Sequence, residues 1–239
     1  MGNDHIVRSY DEELNRLTGL LARMGGLVEA ELAGAIEAVS SRDAELATRT
    51  VRSDARVDDL EREIGEQVVR VMALRQPVAS DLRLVLGSLR IAGDLERSAD
   101  YAKNVAKRAV ALAQLPVLRP VHAIPRMGTV VREMLKDVLD AFAARDVAKA
   151  VAVWNRDEEL DEMHGSLFRE LVTYMMEDPR NITGSTHLLF IAKNIERIGD
   201  HATNIAETIH YLVKGVPLAG ERPKGDGTSF STVGAEGAQ

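Results

Sequence analysis

The sequence has no cysteine, and it has few aromatic residues and few chain breakers. Aromatic residues make up 4% of the 239 residues and only 7 are proline, whereas apolar residues reach 45%. Without cysteine, the protein cannot form disulfides, bind metal through thiolates or use a cysteine nucleophile. The apolar content is mainly alanine, valine, leucine and isoleucine, which suits helices packed side by side. The composition therefore predicts a globular, helical protein.

The chain also lacks an excess of basic residues and any long apolar run. It carries 30 basic and 37 acidic residues, a formal net charge of -7, whereas nucleic-acid binding usually needs a basic face. No apolar run approaches the roughly 18 residues of a membrane span, and the N-terminal residues lack the apolar core of a signal peptide. We expect a cytoplasmic protein that does not bind nucleic acid. Gly-rich phosphate loops and serine-nucleophile motifs are also missing from the sequence.

Apolar residues recur at three- and four-residue spacing through nearly all of the chain before residue 215. This periodicity is typical of amphipathic helices that face a core. It predicts six helices, over about 5–40, 43–75, 78–114, 123–144, 146–178 and 182–214. Gln76-Pro77 and Asp178-Pro179 end the second and fifth helices, because the residue before a proline avoids the α region.

The two halves of the chain repeat each other. Residues 91–104 and 191–204 lie 100 positions apart and are identical at seven of fourteen positions. Asp54 and Asp58 correspond to Asp157 and Asp161 at an offset of 103. The fold predicted is therefore all-α, with two tandem three-helix bundles. The first repeat is expected over 5–115 and the second over 123–215, and the Gly- and Pro-rich residues 216–239 are expected to form a flexible tail.

Acidic residues occur in pairs spaced i, i+4 at equivalent places in both repeats. The four pairs are Asp54 with Asp58, Glu96 with Asp100, Asp157 with Asp161, and Glu196 with Asp200. Side chains four apart on a helix are neighbours, so two like charges there repel each other. A hard cation bound by both carboxylates would compensate for this repulsion. The repetition predicts a cation site more strongly than any single pair does.

On a helical wheel, the pairs of the third and sixth helices fall on another face than the apolar stripe, and the pairs of the second and fifth helices flank the stripe of their own helix. We therefore expect these acids on an accessible face, where they form a surface cation site, a docking surface or an ordinary solvated face. His164 is expected on the surface, and His201 partly buried with a partner. Trp154 and the methionines are expected to serve packing.

Three segments resemble the PhoU family. They are residues 94–100 (DLERSAD), residues 195–207 (IERIGDHATNIAE) and residues 76–83 (QPVASDLR). The resemblance covers about residues 8–215. The Glu-Arg-x-x-Asp motif in the third helix of each half is its most specific element.

The resemblance implies a cytoplasmic, often dimeric regulator that represses phosphate uptake and the phosphate-starvation response when phosphate is plentiful. It implies contact with the ATPase subunit of the phosphate ABC transporter and with the sensor histidine kinase of the phosphate system, so that membranes are reached only through partners. It also implies bound Mg, Mn, Fe or Zn ions. The metal-ligand candidates that it assigns are Asp54, Asp58, Glu96, Asp100, Asp157, Asp161, Glu196 and Asp200.

The two copies differ in one way that bears on this site. Lys107 stands where the second repeat has Glu207, and a lysine near the acids would repel a cation, so we expect the second site to be stronger.

Two alternatives to a metal-binding regulator stay open. One is a carboxylate-bridged di-metal enzyme, for which Asp161-x-x-His164 is the nearest match to the Glu-x-x-His motif of such bundles. The other is a helical scaffold without metal.

Overall fold

The computed structural model describes residues 2–220, and the predicted all-α fold is confirmed there, since none of these residues lies in a strand. Short 3-10 turns at Arg119–His122 and Pro179–Asn181 precede the helices that begin at Ala123 and Ile182. The α-helices are α1 (Gly2–Ser41), α2 (Ala44–Ser53), α3 (Ala55–Arg75), α4 (Ala79–Leu112), α5 (Ala123–Ala144), α6 (Val147–Asn155), α7 (Asp157–Glu177) and α8 (Ile182–Lys214).

The second and fifth predicted helices are each interrupted once, which periodicity did not predict. The first interruption is at Asp54, between α2 and α3, and the second is at Arg156, between α6 and α7. At both, a backbone N–H bonds to the carbonyl three residues back, from Val57 to Asp54 at 2.8 Å and from Arg156 to Val153 at 3.0 Å. Such bonds tighten the chain locally and break the four-residue ladder. Both interruptions lie beside predicted acidic pairs.

The turn between the first and second predicted helices is built in the same way in each repeat. Arg42 and Arg145 both adopt the left-handed conformation, with φ of 58° and 53°, which ends α1 and α5. The next residues, Asp43 and Asp146, cap the following helix, because their carboxylates accept backbone N–H bonds at 2.8 to 3.0 Å. Such caps typically stabilise a helix by about 1 kcal/mol.

The helices α4 and α8 pack along each other at the centre of the molecule, and α1 also packs against α5. The central helices approach closely at Gly87, since a Cβ there would lie 2.4 Å from the Leu212 side chain, which would have to shift. Buried apolar side chains of both halves form one connected core. The division into domains 5–115 and 123–215 therefore stays a prediction, and residues 221–239 of the predicted tail lie outside the described residues. Within 2–220, no helix is both long enough and apolar enough to cross a membrane.

Candidate metal centre

The structure brings the predicted acids of the first repeat together where α3 packs against α4. Asp58 has its pKa raised by burial and by the charges of Asp54 and Asp100, and Glu96 has its pKa raised by burial and by Asp100. Mutual effects of this kind arise between carboxylates a few ångströms apart. These side chains form the first cluster, which consists of Glu31, Asp54, Asp58, Glu96, Asp100 and Lys103.

A lysine lies between the carboxylates of the first cluster. The Nζ atom of Lys103 is 2.5 Å from Asp54 Oδ2 and 2.6 Å from Asp100 Oδ1. Although burial alone would have the opposite effect, these two carboxylates raise the pKa of Lys103, and the ammonium lowers the pKa of Asp100. The lysine is therefore charged, and it supplies the positive charge that the sequence analysis assigned to a metal ion.

Glu31, on α1, is a member of the first cluster that the sequence analysis missed. It is 4% exposed, and neither of its carboxylate oxygens accepts a hydrogen bond within 3.5 Å from the described residues. Burial, together with the charges of Asp54 and Asp58, raises its pKa to about 7, although Lys103 and the Ser53 hydroxyl oppose this shift. The signal was present in the sequence, because Glu31 interrupts the apolar stripe of Val28, Leu32 and Ala35 at helical spacing.

The second cluster consists of Asp157, Asp161, His164, Lys193, Glu196 and Asp200, where α7 packs against α8. Glu196 is 5% exposed, and its Oε1 atom accepts a hydrogen bond from Lys193 Nζ at 2.8 Å. Its Oε2 atom is buried and has no hydrogen-bond partner among the described residues. Burial raises the pKa of Glu196 to about 6, and the charges of Asp200 and Asp161 add to the shift while Lys193 opposes it.

The expectation that all the acids lie on an accessible face is wrong for half of them. Asp54, Asp157, Asp161 and Glu196 are each at most 6% exposed. Asp58 is exposed, and Glu96 and Asp100 are partly exposed. A helical wheel describes one helix in isolation, whereas here the flanks of α3 and α7 are covered by α4 and α8.

The two histidines differ in how well the sequence predicted them. His164 is 5% exposed, so the expectation of a surface histidine is wrong, because it lies on the same face of α7 as the buried Leu160, Leu167 and Leu171. His201 is confirmed as partly buried with a partner, since its Nδ1 atom is 2.8 Å from Asp94 Oδ1. Trp154 is buried in the core, as predicted.

The decisive difference between the clusters is the position of the lysine. The residue equivalent to Lys103 in the second repeat is Thr203, which is fully buried and donates a hydrogen bond to the Asp200 carbonyl. The lysine of the second cluster, Lys193, is contributed from ten residues earlier on α8, where the first repeat has Gly93. The residues on which the sequence analysis based its asymmetry have other contacts: Glu207 accepts a hydrogen bond from Trp154, and Lys107 lines a groove between α4 and α8.

As they are placed, no three acidic or histidine side chains within the described residues are arranged to hold an ion. A cation would have to draw the carboxylates of a cluster together. The buried, unpaired Oε2 atom of Glu196 fits such a role, whereas in the first cluster the ammonium of Lys103 already lies between the carboxylates. Fold and clusters together define a class of protein: an all-helical protein with a duplicated repeat and a carboxylate cluster in each copy.

The comparison with family models identifies the family. The model described as the PhoU domain matches twice, at residues 21–109 and at residues 124–209. The chain therefore belongs to the PhoU family, as its motifs predicted.

Named relatives match along almost the whole chain. A phosphate-specific transport system accessory protein PhoU homolog from Rhizobium meliloti (strain 1021) is 51% identical over 230 residues, which cover 96% of this chain and 97% of the relative. A protein of the same description from Caulobacter vibrioides (strain NA1000 / CB15N) is 51% identical over 224 residues, covering 93% and 97%.

Solved structures support the fold. The crystal structure of PhoU from Pseudomonas aeruginosa matches with a TM-score of 0.84 and 41% identity, covering 87% of this chain and all of that one. The phosphate transport system regulatory protein PhoU from Streptococcus pneumoniae matches with a TM-score of 0.82 and 30% identity, covering 88% of this chain and 99% of that one.

Proposed function

We propose that this protein is a regulatory accessory protein of a phosphate-specific transport system and acts by protein–protein contact rather than by catalysis. The observation that carries the proposal is the match, at 51% identity over nearly the full length, to relatives named as accessory proteins of that system. The fold agrees with it, since long helices packed around one core leave extended helical faces available for partners.

The partners proposed are the ATPase subunit of the phosphate ABC transporter and the sensor histidine kinase of the phosphate system. Through them the protein would repress phosphate uptake and the starvation response, in the cytoplasm and as a homodimer, and would reach the membrane only through these partners. Affinity purification of the tagged full chain from cells grown at high and at low phosphate tests this proposal. We expect both partners to be recovered, and more strongly at high phosphate. Recovery of neither partner under either condition would sink the adaptor function.

The second cluster is the proposed metal centre. Asp157, Asp161, Glu196 and Asp200 would supply oxygen ligands, the type that Mg²⁺ and Mn²⁺ prefer and that iron or zinc also accepts. The support is the buried Oε2 atom of Glu196, which has no hydrogen-bond partner among the described residues. A bound cation would neutralise carboxylates on both α7 and α8.

The first cluster is proposed to be the weaker site. Lys103 Nζ contacts Asp54 and Asp100 at 2.5 and 2.6 Å, so a cation would compete with an ammonium that is already in place. Coulomb repulsion between two cations a few ångströms apart opposes binding. Asp54, Asp58, Glu96 and Asp100 remain ligand candidates, and titration of Mn²⁺ into the wild type beside Asp54→Ala/Asp58→Ala tests them. An equal loss of metal on removing either cluster would contradict the ranking.

One observation keeps the di-metal enzyme as a second candidate. Asp161 and His164 are both buried on α7, so the pair points away from solvent as the ligands of such enzymes do. Iron(II) oxidation in air by the purified protein, beside Asp161→Ala, tests this alternative. Turnover that Asp161→Ala abolishes would favour the enzyme. Metal contents near zero in both proteins would favour a scaffold without metal.

A further inference from the structure

A groove of about 540 Å³ runs between α4 and α8, and it borders the second cluster at Lys193. The helices are antiparallel there, since Tyr101 meets Arg197 and Arg108 meets Phe190. Each half of the chain therefore supplies one wall. None of the carboxylates proposed as metal ligands lines this groove.

The groove is strongly basic, although the chain carries a net charge of -7. Its lining includes Lys107, Arg108, Lys193 and Arg197 and contains no acidic residue. Lys193 pairs with Glu196, but no carboxylate in the described part of the chain lies within ion-pair distance of Lys107 or Arg108. Unpaired positive charge concentrated in a concave site attracts anions.

Two aromatic rings hold the arginines in place. The guanidinium of Arg108 lies 4.0 Å from the centre of the Phe190 ring, and that of Arg197 lies 5.6 Å from the centre of the Tyr101 ring. Arg197 also donates a hydrogen bond to the Tyr101 hydroxyl at 3.2 Å. Ring contact of this kind restrains the guanidinium plane while its N–H edge keeps free donors. Less side-chain entropy is then lost when an anion binds.

A histidine adds an unsatisfied polar atom to the same groove. The Nδ1 atom of His187 is buried without a hydrogen-bond partner among the described residues. Burial and the neighbouring Arg108 charge lower the pKa of His187, so its ring is neutral near pH 7. A neutral imidazole nitrogen can donate to an oxyanion or accept from a protonated one.

The duplicated half of the molecule provides an internal comparison. The equivalent groove on the opposite side of α4 and α8 is lined by two basic residues, Arg90 and Arg97, and two acidic ones, Asp94 and Glu207. Pro217 and Leu218 also line it. The first groove has Lys107 and Arg108 where this groove has Glu207 and Thr208. The first groove therefore carries an excess of positive charge that the second lacks.

We propose that the basic groove is a binding site for a phosphate group, either as inorganic phosphate or as the phosphates of a nucleotide. Planar guanidinium groups and lysine ammonium groups match the oxygens of a multiply charged tetrahedral anion. Lys107 and Arg108 line one wall of the groove, and Lys193 and Arg197 line the other. Phosphate binding would therefore link the two halves of the chain.

Isothermal titration of the full-length protein with inorganic phosphate, and separately with ATP, tests the proposal. The test variant is Lys107→Glu/Arg108→Thr, which carries the residues of the equivalent groove and so suits the helix positions. We expect saturable one-to-one binding of at least one probe to the wild type, weakened about 100-fold in the variant, since each charge-assisted contact contributes about 10-fold or more. The probe that binds more tightly identifies the source of the phosphate group.

Arg90→Ala is the matched control, because it removes a basic side chain from the equivalent groove and should leave binding unchanged. Unchanged circular dichroism of both variants shows that the fold is intact, and Arg108→Ala alone provides a second, smaller change at the same site. The proposal is overturned if neither probe binds, or if Arg90→Ala weakens binding as much as the double variant. It is also overturned if a short glutamate peptide binds while both phosphate probes do not, which would make the groove a docking surface for an acidic protein segment.

Discussion

In the first cluster the Lys103 ammonium lies between Asp54 and Asp100, whereas the equivalent position of the second cluster holds the Thr203 hydroxyl, bonded to the backbone. The acids around these two positions are equivalent in sequence. In the second cluster Lys193 pairs with Glu196, and the Oε2 atom of Glu196 has no hydrogen-bond partner among the described residues. A difference at one helical position thus separates a cluster balanced by its own lysine from one suited to an external cation.

The comparison has an energetic basis. Buried carboxylates are costly unless a positive charge or hydrogen bonds compensate them. In the first cluster Lys103 meets this cost for Asp54 and Asp100, whereas Glu31, whose pKa is raised to about 7, has no hydrogen-bond partner among the described residues. In the second cluster the Oε2 atom of Glu196 has no hydrogen-bond partner among the described residues, and burial raises the pKa of Glu196 to about 6 although Lys193 opposes the shift. Ligand binding is expected where the compensation is missing.

Removing ligands from the second cluster has the largest expected effect. Asp161→Ala/Asp200→Ala should weaken Mn²⁺ binding by at least about 1,000-fold, because affinity for hard cations depends on the number of charged oxygen ligands. Isothermal titration calorimetry measures this change. The matched control, Asp54→Ala/Asp58→Ala in the first cluster, should keep the affinity of the wild type. Equal weakening by the two double variants would remove the distinction between the clusters.

Replacing the internal lysine should convert the first cluster into the second type. Lys103→Thr leaves Asp54 and Asp100 without their counter-charge, so we expect the free energy of unfolding to fall by about 2–3 kcal/mol without metal. Added Mn²⁺ should restore most of this loss and bind as one extra equivalent. Urea unfolding with EDTA and with Mn²⁺ measures both effects. Full stability in EDTA, or no recovery with Mn²⁺, would show that Lys103 does not balance the cluster.

Glu31 should make stability depend on pH. Its pKa is raised from 4.5 to about 7 in the folded protein. The contribution of the protonated form to the free energy of unfolding is therefore complete below pH 4.5 and is lost as the pH rises through 7. Glu31→Gln should therefore be more stable than the wild type by about 2 kcal/mol at pH 8, with the difference disappearing towards pH 4.5. Urea unfolding across this pH range, with chelator present, measures it.

An exposed acid on the same helix provides the control for that experiment. Glu37 lies on the solvent side of α1, so Glu37→Gln should change stability little at any pH. A Glu31→Gln variant whose stability follows that of the wild type from pH 4.5 to 8 would show that Glu31 titrates normally.

The smallest effect is expected where the sequence analysis first placed the asymmetry. Glu207→Lys places in the second repeat the lysine that the first repeat has at Lys107. It also removes the acceptor of the 2.9 Å hydrogen bond from Trp154. We expect a loss of about 0.5–1 kcal/mol in the free energy of unfolding and unchanged Mn²⁺ affinity. Thermal unfolding and Mn²⁺ titration measure these quantities. Tenfold weaker Mn²⁺ binding would show instead that Glu207 contributes to the metal centre.

Local signals predicted most of the fold. Gln76 adopts the left-handed conformation before Pro77, and Asp178 is extended before Pro179, so both predicted helix ends are confirmed. These features depend on neighbouring residues alone, which a sequence displays directly. The interruptions at Asp54 and Arg156 depend on hydrogen bonds to carbonyls three residues back, and nothing in the apolar periodicity marks them.

The candidate site was predicted in part. The motif spacing selected eight acids whose role as metal ligands stays a prediction, and for both repeats the structure brings acids of two helices near each other. Their burial could not be derived from one helix at a time, because it is produced by α4 covering α3 and α8 covering α7. Lys103 could have been suspected, since it stands opposite Thr203 in the aligned repeats. That it lies between carboxylates of two helices is a tertiary fact.

Anomalous diffraction from crystals soaked in Mn²⁺ tests the central difference between the clusters most directly. An anomalous peak beside Glu196, bounded by carboxylates of α7 and α8, is the predicted result, with none between Asp54 and Asp100, where Lys103 should remain. Peaks of equal height in both clusters, a peak in the first cluster alone, or no peak in either would contradict the account.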